Sequence, residues 1–142
     1  MNSQLLIRQF QRHRGRHLLV DANLLLLYFV GALRPDRIRS FKRTQKYSSE
    51  DFTLLEAVFK FFRKFATTPH VLTEVSNFMG QCDEPLCSDL RACLARAIQP
   101  WVEPVSASRE LVKARHFPRF GLTDTAIADV KPSLCLVLTD DN

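Results

Sequence analysis

The stretch His17-Leu18-Leu19-Val20-Asp21-Ala22-Asn23-Leu24-Leu25-Leu26 decides how the chain is read. Leu18 to Val20 is a short apolar run closed by a carboxylate, the length and composition of a buried strand, here placed at His17 to Asp21. From Ala22 to Leu33 the sequence stays Leu-rich throughout, which predicts a helix buried on most sides rather than one lying on the surface. A buried strand passing straight into a buried helix is the unit from which α/β layers are built.

Working outward, residues 4 to 13 suit a short helix, and Ser48 to Phe65 a long one, with Ser48 or Ser49 as N-cap, acids in its first turn and Arg63 and Lys64 in its last. Ala66 to Thr68 reads as a short strand or turn. Thr68 then caps a helix with Pro69 at its first position, running to about Met79 before Gly80. Pro85 to Ile98 is amphipathic helix, and Val102 to Val105 a short strand. Ser106 or Ser108 caps a helix ending near His116, Pro118 to Gly121 forms a turn, and Thr123 caps a last helix through Val130. Leu134 to Thr139 is a fully apolar strand ending in Asp140, Asp141 and Asn142. Strands alternating with helices predict one α/β domain over residues 1–142 with a mainly parallel sheet.

Composition agrees. The 142 residues are 46% hydrophobic and 25% charged with 11 Phe, enough to bury a core without disulfides or a structural metal, which excludes disorder and a miniprotein scaffold. The longest apolar run, Leu24 to Ala32, falls short of the roughly 20 residues a membrane helix requires. Arg8, Arg12, Arg14 and Arg16 surround only short apolar pieces, so no secretory signal is read. The four cysteines, Cys82, Cys87, Cys93 and Cys135, form no CxxC pair, and the four histidines stand at no zinc spacing from them. Reduced thiols in a cytoplasmic protein are expected.

The net charge is +5 and unevenly placed. Met1 to Val20 carries its arginines with no acid, and Arg34, Arg37, Arg39, Lys42, Arg43 and Lys46 are opposed within their segment by Asp36 alone. Such a surface attracts polyanions by counterion release, which makes nucleic acid a reasonable partner, and a merely solvated face is the alternative.

Both predicted strands at the ends of this pattern finish in carboxylates, and ligands of open α/β sheets bind at the carboxyl ends of the strands. If the two strands are neighbours, Asp21 meets Asp141, with Asp140 beside it. Glu74 and Asp124 lie in apolar helical surroundings, with Leu72, Val75 and Phe78 around one and Leu122, Ile127 and Val130 around the other. A cluster of acids repels itself unless a cation sits between them, and Mg²⁺ or Mn²⁺ is the hard, oxygen-seeking ion that fits. Metal-acidified water and phosphoryl charge stabilisation suit phosphodiester hydrolysis. Taken singly, each acid also reads as a helix-end or turn residue.

At these residues the chain resembles the PIN domain family of metal-dependent ribonucleases, which includes the VapC-type toxins of bacterial toxin-antitoxin pairs. The stretch quoted first is similar to the family's opening strand, with asparagine two residues beyond its aspartate. Thr68 to Val75 is similar to the segment bearing the helical glutamate, Gly121 to Ile127 to the start of the helix with the third acid, and Leu138-Thr139-Asp140-Asp141 to the strand end where threonine precedes an aspartate by two. The resemblance covers nearly the whole chain. It implies a three-layer α/β/α fold with four or five parallel strands, often dimerised about a shared groove. It further implies Asp21, Glu74, Asp124 and Asp141 as metal-holding catalytic acids, with Asn23 and Thr139 in supporting hydrogen bonds and Asp140 the lesser of the adjacent pair.

In two places the chain departs from the family. The sequence stops at Asn142, directly after the fourth motif, so either the chain is a truncated product or the family's last helix and edge strand are missing. The six cations from Arg34 to Lys46 occupy a longer connection than the fold requires, either clamping an RNA backbone or forming a mobile surface loop. The functional expectation is a Mg²⁺- or Mn²⁺-dependent endoribonuclease, in the toxin case with an antitoxin partner. The alternative is a non-catalytic module of the same fold that binds RNA or protein. A receiver-type phosphoacceptor ranks below both, because the late strand ends in Asp140 and Asp141 where that chemistry wants a lysine.

Overall fold

The computed structural model describes residues 15–130 and 132–140. The helix expected over residues 4–13 lies outside them, as does Asp141. Three parallel strands form the sheet: β1 (His17–Val20), β2 (Phe65–Ala66) and β3 (Cys135–Leu138), in the order β2-β1-β3. Around them run α1 (Ala22–Leu33), α2 (Ser49–Phe62), α3 (Pro69–Met79), α4 (Leu86–Ala97), the short α5 (Ser108–Leu111) and α6 (Phe117–Asp129).

Alternation along β1 sends its side chains to two faces. Leu18 and Val20 enter the main core with Leu25, Leu26 and Val30 of α1 and with Val71, Val75 and Met79 of α3. Leu19 points the other way into a small second core with Ala66 and Cys135, against Ile127 and Val130. Burial on both faces is why this strand reads as unbroken apolar sequence. α1 has the expected bounds. Its N-cap is Asp21, whose side chain accepts from the Leu24 backbone N–H.

α2 starts at the expected cap, where Ser48 and Asp51 satisfy each other's backbone N–H groups in a capping box. It stops at Phe62, three residues earlier than expected, because Arg63 turns left-handed at φ 59°. That early stop frees Phe65 to pair with Leu18 in β2. Ser48→Ala is expected to cost about 1 kcal/mol, and Ser48→Asp, which can still cap, to cost much less; thermal melts of the two variants compare them.

Three other expectations change. The strand read at Val102 to Val105 is a single parallel bridge from Val102 to Ala66. Pro104 has no N–H with which to continue a ladder. The helix expected to end near His116 is only Ser108–Leu111. Ala107 sits at its cap without a side-chain bond, while the Ser106 hydroxyl donates to Asp129 at 2.6 Å. Pro118 to Gly121 is not a free turn: the chain is helical on both sides of Gly121, which kinks α6 at φ 82°.

The basic connection is folded rather than an open loop. Ile38, Phe41, Thr44 and Tyr47 are buried, and the Thr44 hydroxyl, fully enclosed, donates to the Ile38 carbonyl at 2.7 Å. All four cysteines are free thiols. Among the described residues no helix is long and apolar enough to cross a membrane.

Candidate functional site

Val20 pairs with Leu138 in parallel register, so the residues that follow each strand arrive together at the same end of the sheet. The Asp21 backbone N–H donates to the Leu138 carbonyl at 3.0 Å and fixes that junction. Asp21 is 7% exposed. One of its carboxylate oxygens, Oδ1, accepts from Leu24 at 3.0 Å; the other, Oδ2, accepts the Thr139 hydroxyl at 2.6 Å and the Asp140 backbone N–H at 3.2 Å. Thr139 is thus bonded directly to the Asp21 carboxylate. Asn23 is half-buried in the first turn of α1.

Among the described residues, Asp140 is the acid of the strand end that lies beside Asp21. Its Oδ2 accepts the Tyr47 hydroxyl and pairs with the Lys46 ammonium at 3.1 Å. Its Oδ1 is buried without a hydrogen-bond partner. Burial pushes the Asp21 carboxyl above its ordinary value against the bonds from Thr139 and Leu24, and the Asp140 charge pushes the same way. Burial pushes Asp140 up as well, but the Tyr47 hydroxyl and the Lys46 ammonium outweigh it and hold that carboxyl below the usual range. The pair is therefore electrostatically divided, with Asp140 the more readily ionised.

Glu74 and Asp124 are placed differently. Glu74, half-buried on α3, accepts the Thr123 hydroxyl at 3.0 Å, so Thr123 ties α6 to α3 instead of capping a helix. Asp124 is exposed, which corrects the apolar setting expected for it; the buried face of α6 beyond the Gly121 kink is Thr125 and Ala126. Among the described residues no three His, Cys, Asp or Glu side chains form a group able to hold a metal ion. The carboxylates that come together are Asp21, both of whose oxygens already accept hydrogen bonds, and Asp140, whose buried Oδ1 meets no hydrogen-bond donor among the described residues. Mg²⁺ commonly binds through one or two carboxylates and keeps several waters.

The cations of the basic segment are mostly occupied within the protein. Arg34 pairs with Asp36, and Arg37 donates to Ser40. Arg39 donates to the Tyr47 carbonyl, and Arg43 donates to Gln81 and lies 4.4 Å over the Phe78 ring. Lys42 is exposed. Lys46 is the member of the segment that reaches the acid pair. Next to the pair opens a cleft of about 250 Å³ walled by Leu24, Leu27, Leu54, Leu55, Val58 and Leu138, which Thr139 and Asp140 also line.

Sequence reasoning missed Tyr47 at the site. No local pattern could have found it, because it meets an acid 93 residues away. Comparison of the chain with protein-family models, with curated proteins and with solved structures returned no match.

Proposed function

We propose that the protein is a divalent-cation-dependent endoribonuclease of PIN-like fold, with Asp21 and Asp140 at the centre of its site and Glu74, Asp124 and Asp141 as the further acids the resemblance implies. The observation that carries this reading is the meeting of two carboxylates at the carboxyl ends of adjacent parallel strands, one of them with a buried oxygen that lacks a partner. A Mg²⁺ or Mn²⁺ ion bound there would supply an acidified water and neutralise charge on the phosphoryl oxygens. The chain's own part is to hold the carboxylates. Leu24 and Thr139 fix the two oxygens of Asp21, and Tyr47 orients Asp140, so the pair is set before any ligand arrives. RNA would reach the acids along the basic segment, where Lys42 is exposed and Arg37, Arg39 and Arg43 would exchange bonds within the protein for its backbone. An antitoxin partner and a homodimer belong to the same proposal.

The second reading, a non-catalytic RNA- or protein-binding module, draws on the exposed position of Asp124 and on the lysine already paired with Asp140. One experiment separates the two. Labelled structured RNA is incubated with the protein in Mg²⁺, in Mn²⁺ and in EDTA, alongside Asp140→Asn. Cuts that require the metal and are lost in the variant are the expected result. Retention of RNA without cleavage under all conditions would favour the binding module.

A further inference from the structure

Near the start of α6 stands an aromatic side chain that the core does not take. Phe120 is 51% exposed, whereas Phe29, Phe41, Phe59 and Phe62 are all buried. One exposed ring is ordinary by itself, and what sets this one apart is its surroundings. The Arg119 guanidinium carbon lies over the ring, 5.2 Å from its centre, and the His116 ring centre stands 6.3 Å away. Beside them Arg109, Lys113 and Arg115 are exposed, and Glu110, which pairs with Lys113, is the one acid in the sequence from Arg109 to Phe120. Among the described residues, Arg109, Arg115 and Arg119 form no ion pair, unlike Arg34 and Lys46 of the earlier basic segment. Gly121 follows at φ 82° and kinks the helix, so the ring and its cations form a separate step before the segment that carries Asp124 and the Thr123 contact to Glu74.

We infer that Phe120, flanked by Arg119 and His116, is a stacking platform for a base of a single-stranded nucleic acid, with Arg109, Lys113 and Arg115 meeting the phosphates on either side. Unpaired bases stack on aromatic rings and on guanidinium planes, and the cations gain by releasing counterions from the strand. Charge complementarity selects this occupant. A single strand offers an anionic backbone and flat apolar faces together, which is what the cations and the ring each require. A duplex offers the same phosphates but keeps its bases stacked inside. The inference rests on the reading above only in that the ligand is a nucleic acid, and it calls for neither the metal nor the acids. It adds a holding surface apart from the segment Arg34 to Lys46.

The test is fluorescence anisotropy of the whole protein with a labelled single strand of about 12 nucleotides, made as RNA and as DNA, in EDTA so that no metal-dependent cleavage intrudes. Phe120→Ala and Phe120→Leu are expected to weaken binding of the preferred strand about tenfold, and Phe120→Trp to keep or improve it. Arg119→Gln is expected to weaken binding and to lower the slope of log affinity against log salt by about 0.7. Lys60→Gln, which removes an exposed lysine paired with Glu56 on α2, is expected to bind like wild type. An RNA duplex of the same length is expected to bind the Phe120 variants and wild type alike. Wild-type affinity in Phe120→Ala would overturn the platform, and so would wild-type affinity in Phe120→Leu, which would reduce the ring to an apolar contact. Equal losses for single strand and duplex would overturn it as well, and so would absence of binding by wild type at about 100 μM in low salt, where even non-specific contacts register. Sedimentation velocity completes the test: a wild-type dimer that Phe120→Ala alone makes monomeric would assign the ring to a contact between copies and end the inference. Metal-dependent cleavage together with unaltered binding by Phe120→Ala would remove this inference and leave the nuclease reading intact. The expected binding pattern without cleavage in any metal would do the reverse. Because Phe120 and Arg119 are exposed, circular dichroism of their variants is expected to match wild type.

Discussion

Asp21→Asn is expected to lower metal-dependent RNA cleavage by about a thousandfold or more, while the variant stays folded at pH 7. The loss of activity follows from removing one of two carboxylates that would share a cation, since metal stabilisation of phosphoryl charge is worth several kcal/mol and each 1.36 kcal/mol is a factor of ten. The retained stability follows from what else Asp21 does. It is the N-cap of α1 and accepts from Leu24, and asparagine caps nearly as well as aspartate. Burial raises the Asp21 carboxyl, so the folded protein keeps that proton at pH values where the unfolded chain has lost it. Its contribution is thus fully present below the unfolded value of 3.8 and is lost as pH rises through the folded one. A neutral asparagine carries no such loss near neutrality, and against that gain stands the acceptor that the Asp140 backbone N–H loses to an amide nitrogen. Asp21→Ala, by contrast, also forfeits the cap and is expected to melt earlier. Full cleavage by Asp21→Asn, read on the same labelled RNA, would take Asp21 out of the mechanism.

Leu26→Ala is expected to destabilise the fold by about 2 to 5 kcal/mol, the cost of a large buried aliphatic side chain and the cavity it leaves. Leu26 is fully buried in α1, in the cluster where that helix meets Leu18 and Val20 of β1 and Val71 and Val75 of α3. Little room exists for the surroundings to collapse, because every neighbour in that list is itself almost completely enclosed. Denaturant unfolding should show a lower midpoint with an unchanged slope. Leu24, half-buried in the same helix, gives the comparison: its replacement by alanine should cost clearly less. Equal losses at the two positions would contradict the packing described for α1.

The helix boundaries show where sequence reasoning reaches. α1 and α3 have their expected bounds because each start is written locally: a carboxylate or hydroxyl at the cap, proline at the first position of α3, then a long apolar pattern. α2 is right at its capped start and wrong at its end, since a left-handed Arg63 carries no composition signal and is selected by the pairing of Phe65 with β1. The region after Trp101 is read less well. Its serines promise caps, and the structure spends Ser106 on Asp129 and Thr123 on Glu74 instead.

The same division runs through the candidate site. Sequence alone was enough to say that a mainly parallel α/β sheet carries Asp21 at the end of a buried strand, and that a second apolar strand ends in acids; that the two strands are neighbours came from the structure. Those statements depend on periodicity, capping and the rule that strand ends gather ligands, all of which act over a few residues. Only the tertiary structure decided that Asp140 accepts the Tyr47 hydroxyl and the Lys46 ammonium, that Asp124 faces solvent, and that Thr123 serves Glu74. Each of these depends on which helix lies over which strand end and how it is rotated. That choice is made by the packing of whole apolar faces, such as α1 against α3 in the core that Leu26, Val30, Val71 and Val75 share, and no short stretch of sequence contains it.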